Sequence, residues 1–125
     1  NTSTSSGRLA FYAERIARQG FIAIVTANSP ELVAYAKGGK AVLGTNPICF
    51  GIPRAGAPPL TFDMATSAMA FFGVLTAKAQ GALLPEGVAF DRSGAPTTDA
   101  DAVLDGGALA TFGGHKGAGL ALIVE

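Results

Sequence analysis

The chain opens on a polar, low-complexity stretch, NTSTSS at residues 1–6, whose composition predicts a disordered arm or an appended remnant carrying little structure. From Gly7 the pattern changes. Leu9, Tyr12, Ala13, Ile16 and Ala17 recur at helical spacing, Ser6 can cap the start and Gly20 can close the end, predicting a helix over about 8–19. FIAIVTA at 21–27 is β-branched and apolar on both faces, which predicts a strand covered from two sides. Residues 28–47 mix Asn, Pro and Gly with few aliphatics and read as a long functional loop holding one short helical turn. ICFGI at 48–52 and LTF at 60–62 read as a hairpin with a wide, proline-stiffened loop. Thr66 or Ser67 can cap a helix that runs to about Gln80, ends at Gly81 and carries Met69, Phe72, Leu75 and Ala79 toward a core. Gly73 within it costs roughly 1 kcal/mol relative to Ala, which points to close approach by another group. Residues 88–109 predict a short strand, a turn at DRSG and a helix capped by Thr98 or Asp99 and stopped at Gly106. A last helix follows the paired glycines of FGGHKGAGLALIVE. Together these elements predict an α/β layering, a mixed sheet with flanking helices that is not doubly wound, with 7–125 as one core domain.

Composition narrows the function. Hydrophobic residues make up 49% of the 125, enough to bury a core. Nine Lys and Arg balance nine Asp and Glu, so long-range attraction favours neither nucleic acid nor an anionic membrane, and a compact small-molecule partner fits better. The single Cys49 excludes an internal disulfide framework and reads as a small buried hydrophobe in a reducing, cytoplasmic compartment. FIAIV and LALIV are far shorter than the roughly 20 residues that span a bilayer. A chain that starts at Asn1 and ends at Glu125 inside an amphipathic run reads as a fragment.

Four places carry candidate chemistry. Gly113 and Gly114 allow a sharp turn that can point the first free N–H groups of the last helix, with His115 and Lys116, at an anion. The helix dipole supplies only about 0.3–1 kcal/mol at a wet surface, whereas a charge-assisted bond from lysine to phosphate supplies about 1.5–3, so Lys116 dominates any binding there. A solvated His-Lys pair at an ordinary helix start is the alternative. In FDMATSA at 62–68, Asp63 can accept from ribose hydroxyls while amides near Thr66 face a phosphate; alternatively both residues simply cap the following helix. In GTNPICF, Asn46 precedes proline and is expected to be held extended, either as a directed side chain or as a plain rigid turn. Arg8 and Arg15 can share a solvated helix face. Metal ligands at paired spacing are absent, as is a Ser-His-Asp or C-x-x-C arrangement.

In series, GRLAFYAERIARQGFIAIVTANS, GTNPICFGIPR, PPLTFDMATSA, LLPEGVAFDRSGAPTT and DGGALATFGGHKGAGLALIVE resemble the malate/L-lactate dehydrogenase family of NAD(P)H-dependent oxidoreductases, a group distinct from the Rossmann-type lactate dehydrogenases. LDGGAL with FGGHKG looks most like the branch that reduces Δ1-piperideine-2-carboxylate and Δ1-pyrroline-2-carboxylate. The resemblance implies a non-Rossmann NAD(P)-binding domain matching the middle of a longer fold, with NADPH or NADH as cofactor, a small 2-oxo or cyclic 2-imino acid as substrate and a homodimer as assembly. It places Ser29, Asp63, Met64, Ala65 and Lys116 on cofactor-contacting positions with His115 beside them, and Thr66 joins the candidate cofactor-binding set through the amides near it. It also puts Ser5 where the family's proton-donating histidine would stand, so no catalytic residue is assigned; serine cannot replace an imidazole as general acid, a loss of about 10² to 10⁴ in rate. Two readings follow: a hydride-transferring reductase domain, or a catalytically silent remnant that folds, self-associates and keeps at most a dinucleotide site.

Overall fold

An alanine stripe decides how the first helix packs. In α1 (Ala10–Ala17) the buried residues are Ala10, Ala13 and Ala17, while Phe11, Tyr12 and Ile16 stay exposed. Small side chains let the helix lie close on strands β1 (Ala23–Thr26), β4 (Ile48–Ile52) and β5 (Leu60–Met64), which form an antiparallel sheet in the order β1-β4-β5. Gly51 belongs to this contact: a Cβ there would sit 2.6 Å from the Ala13 carbonyl oxygen. The computed structural model describes residues 6–125, so Ser5 and the arm before it lie outside the described residues. α1 and this sheet, together with residues up to Ala27 and Pro47–Met64, form one of two compact units.

The register explains which face is which. Cys49 pairs with Val25 and Asp63, and Gly51 with Ala23 and Thr61, giving the row that faces α1. The alternate row joins Ile24, Phe50 and Phe62. Ile24 is 64% and Phe62 58% exposed, so β1 is covered on one face, in contrast to the two-sided burial its apolar run predicts. An apolar run does not encode which face finds a partner.

The second unit, Asn28–Asn46 and Ala65–Glu125, holds a mixed four-stranded sheet in the order β3-β2-β7-β6. Its strands are β2 (Val33–Ala34), β3 (Ala41–Leu43), β6 (Ala89–Phe90) and β7 (Ala108–Leu109). β2 pairs parallel to β7 and antiparallel to β3, and β6 pairs antiparallel to β7. The long loop expected over 28–47 is thus corrected to two short strands. Both are too short for local propensity to mark them, and β2 is fixed by a neighbour more than seventy positions away in sequence. Val33, Leu43 and Leu109 face the main core with Val74, Leu84 and Val103; Ala34, Phe90 and Ala108 form a smaller cluster.

Helices α2 (Phe71–Gln80), α3 (Ala100–Leu104) and α4 (His115–Val124) complete this unit. α3 has the expected Asp99 cap, its carboxylate accepting from Asp101 N at 2.9 Å. α2 starts later than Thr66 because residues 66–68 are held extended: Ser67 bridges Thr111 and Ala68 N donates to Ala110 O. That offset rotates the helix, so Val74 is its buried residue while Phe72 and Leu75 are exposed. The close neighbour of Gly73 is the flexible Met69 Cε. Ser6 does not cap α1, whose N-cap is Leu9 with no side-chain bond.

Candidate functional site

Polar residues scattered over four motifs meet in the second unit around one buried side chain. Asn46 is fully buried and is the only described non-glycine residue with positive φ, at 30°. The extended conformation expected before Pro47 is therefore corrected. Asparagine tolerates this region better than most residues, and here its amide is held from both ends. Its Oδ1 accepts from Ser29 N at 3.2 Å, and its Nδ2 donates to Ala121 O at 3.1 Å and to Glu125 Oε2 at 2.6 Å. Ser29 Oγ accepts from Thr45 N at 2.7 Å and shares a hydrogen bond with Thr45 Oγ1 at 3.0 Å. Thr66 Oγ1 lies 3.1 Å from Thr45 O and 3.0 Å from Asn46 O, to which it donates, and Thr66 N donates to Thr45 O at 2.9 Å. A Cβ at Gly44 would collide with Asn46 Oδ1 and lie 2.6 Å from Ser29 Oγ. Every polar side-chain atom buried here has a partner.

The glycine turn is attached to the same knot. Thr66 O accepts from Phe112 N at 3.1 Å, and a Cβ at Gly117 would come within 2.7 Å of Thr66 O, so the start of α4 rests on the Thr66 backbone. Gly113 and Gly114 take φ of 55° and 61°, reversing the chain into His115 and Lys116, which are both exposed. Lys116 makes no ion pair among the described residues. The amides expected to face an anion are partly committed: Lys116 N is 3.4 Å from Gly113 O and Gly117 N 3.0 Å from Phe112 O. The lysine ammonium is accordingly the stronger anion-binding group.

Ser29, Ala65, Thr66, His115 and Lys116 thus belong to the second unit, while Asp63 and Met64 end β5 in the first. Asp63 Oδ2 accepts from Ala10 N at 2.8 Å, stabilising the opening of α1 rather than the following helix. Cys49 shares that sheet face; burial pushes its thiol up from its ordinary value, and the neighbouring Asp63 carboxylate adds to the shift. Sequence spacing did not reveal Asn46 as a hub, although an Asn between Gly-Thr and Pro was a visible signal for a constrained turn. Among the described residues no helix is long and apolar enough to cross a membrane, and no cluster of three or more His, Cys, Asp or Glu could hold a metal.

Comparison with known proteins fixes the class. Residues 1–125 match the malate/L-lactate dehydrogenase family, and the chain belongs to it. It is 49% identical over 112 residues, 90% of this chain and 33% of the relative, to a Δ1-pyrroline-2-carboxylate/Δ1-piperideine-2-carboxylate reductase of Pseudomonas syringae pv. tomato. A (2R)-3-sulfolactate dehydrogenase (NADP(+)) of Chromohalobacter salexigens is 45% identical over the same share of this chain and 33% of its own length. The chain spans about a third of the length of these relatives. The crystal structure of the P. syringae piperideine-2-carboxylate reductase superposes with a TM-score of 0.89 at 48% identity, over 94% of this chain and 36% of that one. Malate dehydrogenase from Entamoeba histolytica gives 0.88 at 31% identity, over 98% and 37%.

Proposed function

We propose that this chain is the nucleotide-binding part of an NAD(P)H-dependent oxidoreductase that delivers hydride to C2 of a cyclic 2-imino or 2-oxo carboxylate. The observation that carries this reading is the exposed Lys116, free of an ion pair among the described residues and seated on a glycine-reversed helix start against Thr66. In this reading its ammonium pairs with a phosphate of the dinucleotide, and His115 beside it adds a second polar contact. Thr66, buried with its hydroxyl and N–H turned inward, supports the start of α4 through its carbonyl, and Ser29 is tied to the same turn through Thr45; Ala65 joins the set through the family resemblance. Asp63 and Met64 join the set through the family resemblance; one Asp63 oxygen is already committed to Ala10 N. A bound nicotinamide supplies the hydride; the residues here bind and orient it. Names of the relatives favour imino-acid or sulfolactate-type substrates, and one of them favours NADPH as the first cofactor to try; a cytoplasmic homodimer as the working form rests on the family resemblance alone.

Titration with NADPH and NADH, followed by nicotinamide fluorescence, tests this. Micromolar binding that falls at least tenfold in Lys116→Ala, with an unchanged melting temperature, is the expected result. Absence of binding, or indifference to Lys116→Ala, removes the cofactor assignment. Binding without turnover of piperideine-2-carboxylate, pyruvate, malate or ureidoglycolate supports the silent-remnant alternative.

A further inference from the structure

We infer that Asn46 is a positioning residue: its side-chain amide, rather than the backbone of the GTNP turn, sets where α4 and therefore Lys116 sit against the Ser29 and Thr66 segments. The inference deepens the cofactor reading and rests on it only for the binding arm of the test below. Two observations single out this residue. Three bonds from that one group join two distant segments, namely Ser29 N on one side and the end of α4, through Ala121 O and Glu125 Oε2, on the other. Its positive φ shows that the surroundings hold it in a conformation most residues avoid.

The bond to Ala121 O is particularly informative. Ala121 N–H and C=O lie within α4, and a carbonyl inside a helix ordinarily bonds the amide four residues on; here Ala121 O accepts from Glu125 N at 3.0 Å and from Asn46 Nδ2 as well. Ala121 is itself fully buried against the main core. Asn46 therefore grips the last turn of the helix while Thr66 O, through Phe112 N and the space below Gly117, supports its first. Thr66 closes the loop by bonding Asn46 O. With both ends fixed to one knot, the helix is held against sliding, and the backbone that carries Lys116 keeps its place relative to the Thr66 segment. Glu125 is the titratable group placed directly against the amide.

Three variants of the full 125-residue chain test this. Asn46→Gly keeps the positive φ and removes the amide. Asn46→Asp sets a carboxylate against Glu125, and Asn46→Asp combined with Glu125→Gln restores a donor-acceptor pair with its direction reversed. At a temperature where all are folded by circular dichroism, NADPH is expected to bind roughly tenfold more weakly to Asn46→Gly and Asn46→Asp, and the double variant is expected to recover only the part due to Glu125, because its aspartate still faces the Ala121 carbonyl without a proton to donate. Amide hydrogen exchange at Gly117 and Ala118 is expected to rise at least tenfold in Asn46→Gly while Val33 and Leu109 stay protected. The inference is overturned if Asn46→Gly lowers only the melting temperature and leaves both the NADPH affinity and this exchange pattern unchanged. Should the parent chain bind no NADPH, the cofactor reading fails alone, and the exchange result by itself supports or overturns the positioning role.

Discussion

The two units solve the same packing problem with different residues. In the first, α1 approaches its sheet through Ala10, Ala13, Ala23, Cys49 and Gly51, so stability there comes from close backbone approach. In the second, Val33, Leu43, Val74, Leu84, Val103 and Leu109 fill a core shared by sheet and helices, and a polar knot joins the turns. One therefore suffers from added atoms and the other from removed ones. The first also leaves its alternate sheet face, with Ile24, Phe62 and Leu60, open to solvent, whereas both faces of the second sheet carry buried clusters.

That contrast can be broken by substitution. Leu109→Ala, at a site with no exposure, is expected to destabilise by about 4 kcal/mol through lost transfer energy and a cavity, measured by urea denaturation; a loss below about 1 kcal/mol would mean the second core is not limited by volume. Gly51→Ala is expected to cost about 2–3 kcal/mol, because the new methyl meets the Ala13 carbonyl, and an unchanged midpoint would show that α1 can retreat freely. Asp63→Ala is expected to cost about 1 kcal/mol by stripping the acceptor from Ala10 N. The same variant should let the Cys49 thiol ionise at lower pH, since one of the two leading causes of its elevation is gone, although burial remains; thiolate absorbance across an alkaline titration reads this. Phe62→Thr, on the open face, is expected to change stability by no more than about 0.5 kcal/mol.

The smallest effects concern pH. Hydrogen bonding from Ser93 lowers the Asp91 carboxyl below its ordinary value. A group depressed in the folded state contributes stability above its unfolded pKa and loses it as pH falls through the folded one, so Asp91→Ala should flatten the acid limb of the stability curve slightly. Cys49 has the opposite sign. A thiol raised by burial contributes fully below its unfolded pKa and loses that contribution as pH rises toward the folded one, so Cys49→Ala should flatten the alkaline limb. Thermal melts from acid to alkaline pH check both.

Legibility in the sequence followed locality. Helical spacing, caps and glycine stops located α1 and α3, the paired glycines before His115 located α4, and the β4–β5 hairpin was readable from two apolar runs around a proline loop. Strands of two or three residues, such as β2, β3 and β7, were not, because their pairing is decided by partners distant in the chain. At the candidate site, His115 and Lys116 stood out through residue type and flanking glycines. The engagement of Ser29 and Thr66 with Thr45 did not, since hydroxyls at a turn look alike whether they bond inward or await a ligand.

By itself, the order of motifs determined the family and the α/β character, because helix periodicity and glycine-marked turns are properties of neighbouring residues. Only the tertiary structure decided that Asp63 holds the opening of α1, that one face of the first sheet stays open, and that a buried asparagine gathers four motifs. Each of these depends on which distant groups come within hydrogen-bonding or van der Waals reach, and that reach is set by packing.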